Sequence, residues 1–109
     1  MKNLESGTVD LIRDLLPALD ELIALMEYYD NATYRATVEH IANSLTERGL
    51  IAFDDKSLYF DPERHDVHEE YPREDCTQAY VSRTHIRGYM IDGEVIRKSI
   101  VDLIVPTEE

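Results

Sequence analysis

The sequence predicts an α+β chain, a two-helix hairpin followed by a small all-β domain, on two observations. Through the first half, apolar residues recur three and four positions apart, the spacing of one helix face. In the second half, short apolar runs are separated by glycines and other turn residues and close on the alternation Ile100-Val101-x-Leu103-x-Val105 of a half-buried strand. The change of period places a helical region at residues 1–50 and a β region at 51–109.

The first helix is expected from Val9 to Met26, with Ile12, Leu15, Leu19, Leu22 and Met26 on one stripe and Leu16, Ile23 and Leu25 widening it. Pro17 lacks an amide hydrogen, and its ring opposes the carbonyl of Arg13, so a kink or a fresh helix start is expected there. Asp30, Asn31 and Thr33 can each cap a second helix, in which Tyr34, Val38, Ile41 and Leu45 repeat and which Gly49 ends. Two such helices cannot bury both stripes by themselves. The sequence therefore predicts that two copies pair into a four-helix bundle through Ile12, Leu15, Leu19, Leu22, Met26, Val38, Ile41 and Leu45.

Beyond Leu50, Ile51-Ala52-Phe53 and Ser57-Leu58-Tyr59-Phe60 flank Asp54-Asp55-Lys56 and read as a hairpin. Residues 61–76 carry many charges with Pro62 and Pro72, and read as a loop or irregular edge. Further strands are expected from Ala79 to Ile86, from Gly88 to Ile91, at Val95-Ile96 and from Ile100 to Val105, with Gly88 serving a turn and Asp92-Gly93 a tight hairpin.

Composition narrows the function. Acidic residues outnumber basic ones 23 to 11, for a formal net charge of -12, which opposes binding to nucleic acid or to an anionic membrane surface. The one cysteine, Cys76, leaves no intramolecular disulfide, and no signal-like or membrane-spanning run is evident, so a cytoplasmic location is expected. Cys76 lacks a local oxyanion turn, Ser57, Ser82 and Ser99 lack a nucleophile elbow, and no glycine loop could cradle a phosphate. The chain reads as a binding protein rather than an enzyme. Asp61, His65, Asp66, His68, Glu69 and Glu70 crowd one segment with metal-ligating groups, but their spacing matches no standard motif. That segment reads as a solvated loop, and neither a metal nor a cofactor is expected. Of the seven tyrosines, most read as ordinary packing residues, Tyr89 among them.

The ordered series Phe60-Asp61-Pro62, His65, Gly88-Tyr89, Gly93, Arg97 and the closing alternation resembles the β-domain of the GrpE family, the nucleotide-exchange factors of DnaK-type chaperones. Leu15-Leu16-Pro17-Ala18-Leu19-Asp20 is similar to the run that opens the family's short bundle helices, and Arg48-Gly49-Leu50-Ile51 to its passage into the β-domain. The resemblance spans roughly residues 10 to 105. It implies a homodimer with a projecting β-wing that docks on the nucleotide-binding domain of a DnaK-type chaperone, holds it open and lets ADP escape. Few residues precede Pro17, so it implies a short form without the family's long paired stalk. A GrpE-derived dimeric adaptor without exchange activity is the alternative.

By position, the resemblance also implies that His85, Arg87, Glu94 and Leu103 face the chaperone and that His65 pins its loop to the sheet. Three places depart from the family pattern. Asp66-Val67 replaces the usual Glu-Ala after the histidine. Glu94 stands where the family is often basic, and Arg97-Lys98-Ser99-Ile100-Val101 replaces Arg-Pro-Ala-Met-Val. The chaperone recognised is accordingly expected to have an altered surface.

Overall fold

A computed structural model describes residues 6–107, so the outermost residues of both expected regions lie outside the described part. The chain divides after Leu50 into two compact units. The first holds α1 (Ser6–Tyr28) and α2 (Ala32–Glu47); the strands are β1 (Leu50–Phe53), β2 (His65–Arg73), β3 (Tyr80–Ile86), β4 (Gly88–Ile91), β5 (Glu94–Arg97) and β6 (Ser99–Pro106).

In the helical unit, Ile12, Leu16 and Leu19 of α1 and Val38 of α2 are buried. α1 runs unbroken through Pro17, so no fresh helix start occurs there. Pro17 and Arg13 both lie on the exposed side of the helix, where the missing proline amide costs least. Of the three candidate caps, Asn31 does the work: its side-chain oxygen accepts from the Tyr34 amide at 2.9 Å. The Tyr34 hydroxyl in turn donates to the Leu22 carbonyl at 2.9 Å, tying the start of α2 to the end of α1. Gly49, at φ 97°, ends α2 with its amide donating to the Thr46 carbonyl.

The strands form two three-stranded sheets, ordered β1-β4-β5 and β2-β6-β3. β4 and β5 make the expected hairpin. Asp92 and Gly93 both take positive φ, 52° and 81°, as a two-residue turn matched to strand twist requires. β6 lies between β2, parallel to it, and β3, antiparallel. Val81, Val101 and Leu103 form the centre of this sheet's core, with Phe60, Ala79 and Val105 packed against them.

Two expectations are corrected and one is narrowed. Residues 51–60 are not a hairpin: β1 joins β4, while Ser57 turns at φ 76° and the segment after it follows β3, with the Ser57 amide on the Val81 carbonyl and the Phe60 amide on the Ala79 carbonyl. The side chain of Asp55, buried in that bend, is bound to Arg64 and His65 and so is unavailable for a simple tight turn. Of the two readings for residues 61–76, the irregular edge is the one found, over the strand 65–73. β2 is an exposed edge whose backbone pairs with β6, while its charges, Pro72 and a register break discourage a further strand from adding. Gly88 opens β4 and is buried, its place set by a close approach of Phe53 rather than by a turn.

Candidate functional site

The Phe60-Asp61-Pro62 loop is held by one histidine. His65 is 3% exposed, and its Nδ1 accepts from the Asp61 amide at 3.0 Å. A neutral ring accepting at Nδ1 carries its proton on Nε2, which donates to Asp55 Oδ2 at 2.7 Å. Arg64 closes on the same carboxylate through Nε at 2.7 Å and Nη2 at 3.0 Å, with its guanidinium 4.2 Å from the centre of the Phe53 ring. The paired donors of Arg64 draw the Asp55 carboxyl below its ordinary range; burial opposes this and the His65 bond adds to it. The loop is thus pinned between the two sheets' residues by a buried carboxylate.

Beside this loop, the β4–β5 hairpin presents Glu94, exposed at the start of β5. A polar depression lined by Asp61, Glu63, Arg64, Met90 and Glu94 joins hairpin and loop into one surface with three carboxylates and one cation. Glu63 and Met90 were not singled out by sequence, and Asp61 was read only as part of its loop. They come from segments thirty residues apart, and only the pinning by His65 and Asp55 brings them beside Glu94.

The other positions implied as partner-facing are placed differently. Leu103 is 2% exposed in the core of the sheet, so its side chain packs the wing and offers nothing to a partner; this corrects the sequence reading. Arg87 is half-buried, donating from Nη2 to the Tyr89 hydroxyl at 2.9 Å and lying 5.6 Å from that ring. Arg97 braces the same stretch, with Nη2 donating to the Arg87 carbonyl at 2.7 Å. Tyr89, buried beneath the two cations, is a packing residue. His85 Nε2 lies 2.9 Å from Asp102 Oδ2.

In the helical unit, Ile12, Leu15, Leu19, Leu22, Ile41 and Leu45 line one apolar groove of about 190 Å³. Leu15 is 53% exposed and Ile41 38%. Met26 is half-buried, and Val38 lies inside the unit, where it joins the helices rather than facing outward.

A family model described as GrpE matches residues 2–104, which takes in both helices and all but the end of the last strand. The chain belongs to the GrpE family. Protein GrpE of Bifidobacterium longum (strain NCC 2705) is 29% identical over 103 residues, covering 94% of this chain and 47% of that protein. Its counterpart in Bifidobacterium adolescentis (strain ATCC 15703 / DSM 20083 / NCTC 11814 / E194a) is 28% identical with similar coverage. Protein GrpE of Lawsonia intracellularis (strain PHE/MN1-00) is 26% identical, covering 86% of this chain and 54% of that protein. The chain therefore spans about half the length of these GrpE relatives. Among the described residues, no helix is long and apolar enough to cross a membrane.

Proposed function

We propose that this GrpE-family chain is a homodimeric co-chaperone that promotes ADP release from a DnaK-type chaperone. The helical grooves join two copies, and the hairpin carrying Glu94, with the pinned Asp61–Arg64 loop, docks on the chaperone's nucleotide-binding domain. The family match across both units carries this reading. The fold adds physical support: polar contacts to the buried Asp55 hold the Asp61–Arg64 loop, so docking orders little of that loop that is not already ordered. The part assigned to the chain is binding without covalent chemistry. It binds the opened domain more tightly than the closed one, and that difference is all the opening it can drive.

Linkage supplies a test. A factor that weakens ADP binding must itself be weakened by ADP to the same factor. Titration of the chain onto the nucleotide-binding domain should give tighter binding without nucleotide than with saturating ADP. Equal affinity in both conditions favours the second reading, a dimeric adaptor without exchange activity. The burial of Leu103 and the engagement of Arg87 with Tyr89 favour that reading, because they leave fewer of the partner-facing positions free than exchange in the resembled family implies.

A further inference from the structure

Three neighbouring strands each bring one metal-ligating side chain to the same point. Asp102 lies on the central strand β6, and alternation along that strand sets it on the face opposite Val101 and Leu103. Its side chain is nonetheless only 7% exposed. Two imidazoles cover it, and each takes a different oxygen: His68 Nδ1 is 3.2 Å from Oδ1, and His85 Nε2 is 2.9 Å from Oδ2. The rings stand 4.5 Å apart, centre to centre.

Two ladder irregularities lie beside this cluster. In β2, Val67 pairs with Val101 and Glu69 with Asp102, so His68 is the residue the ladder skips. In β3, Thr84 pairs with Val101 and Ile86 with Ile100, so His85 is skipped in the same way. Each irregularity leaves one histidine out of the ladder, and both histidine side chains reach the same carboxylate.

We propose that His68, His85 and Asp102 bind a divalent cation of the Zn2+ class, with solvent completing its coordination. Their donor atoms all lie within 4.8 Å of one another. A tetrahedral Zn2+ with ligands at about 2.0–2.2 Å sets its donors about 3.4 Å apart, so closing on the ion takes a shift of roughly 1 Å. His68, with its side chain 55% exposed, has the freedom to make that shift, and the same exposure opens the site to entry from solvent. Two imidazoles with one carboxylate suit Zn2+, Co2+ and Ni2+ and disfavour Mg2+ and Ca2+, which prefer oxygen donors. Asp66, Glu69 and Glu70 on the same strand, within a chain of net charge -12, raise the local concentration of cations. The bound ion would clasp the edge strand β2 and the opposite strand β3 to β6.

Calorimetry of the untagged, metal-stripped full chain with ZnCl2 tests this, alongside visible absorbance with CoCl2 and histidine-ring NMR. One equivalent of Zn2+ per chain is expected, with the ring signals of His68 and His85 shifting and those of His40 and His65 unmoved. Co2+ should give the intense visible bands of a low-coordinate site, bleached by Zn2+ and untouched by Mg2+. His68→Ala and His85→Ala should each weaken Zn2+ binding at least about tenfold, the lower end of what even outer-shell partners cost, while His40→Ala leaves it unchanged. The NMR result on the parent chain stands even if a variant fails to fold. No saturable binding, or binding that moves other histidines and survives His68→Ala, overturns the proposal.

Discussion

The ring of Phe53 occupies the space that a side chain at residue 88 would need: a Cβ on Gly88 would lie 2.6 Å from both Cε atoms of Phe53. The same ring also carries the guanidinium of Arg64, whose partner Asp55 anchors His65. The first residue of β4 is thereby coupled through one aromatic ring to the loop that precedes β2.

Gly88→Ala should therefore destabilise the wing by about 1–3 kcal/mol, the usual cost of overpacking a tight site. A lower urea midpoint, with the helical circular dichroism of the first unit retained, is the expected result. Phe53→Leu in the same chain should recover part of the loss by vacating the contact.

Asp55→Ala should cost about 1–3 kcal/mol, because it strips the buried Nε2–H of His65 of its acceptor and frees Arg64. Binding to the chaperone should weaken with it, since the Asp61–Arg64 loop loses its anchor. Thermal melting and chaperone titration of the same preparation would show both effects.

Acid should act on the wing through two carboxylates. Hydrogen bonds from Arg64 draw Asp55 down, and at Asp102 burial pushes the carboxyl up but the bonds from His85 and His68 outweigh it. Both folded values thus lie below the ordinary 3.8. A carboxyl lowered on folding contributes stability that is complete above its unfolded value and is lost as pH falls through the folded one. Urea midpoints measured from about pH 5 down to about pH 2 should fall, and Asp55→Asn should flatten part of that slope.

Much of the fold was legible in the sequence because its signals are local. The helices show in their apolar spacing, the Asn31 and Gly49 caps in residue type, and the β4–β5 turn in the Asp92-Gly93 pair. What was not legible depends on contacts between distant segments. β2 has no apolar alternation, since backbone pairing to β6 holds it and, beyond the buried His65, its side chains lie in solvent. Leu103 was set outward by the resemblance alone, although the closing alternation groups it with Val101; packing against Val81 makes that face the core. His68, His85 and Asp102 lie on three different strands, and the pairing of β2 and β3 with β6, which no local pattern announces, brings them together.

Leu15→Glu and Ile41→Glu should dissociate the proposed dimer while leaving each protomer folded, because both side chains are already exposed in the single chain. A buried leucine contributes about 1.5–3 kcal/mol, and each change acts twice in a two-fold interface. Sedimentation should give a dimer for the parent and a monomer for the variants, with helical circular dichroism close to the parent's.

Glu94→Arg reverses the exposed charge on the hairpin without touching the core. It should slow association with the cognate chaperone in a way that added salt diminishes, and favour a chaperone that accepts family members with a basic residue there. Melting temperature and dimerisation should stay near the parent's.

The central claim is tested most directly by the rate at which fluorescent ADP leaves the DnaK-type chaperone of the same source, followed by stopped flow with and without this chain. The account predicts a release rate that rises with the concentration of the chain to a plateau, lowered by Glu94→Arg. A rate unchanged by saturating chain, in the presence of a demonstrated complex, would contradict exchange and leave the adaptor.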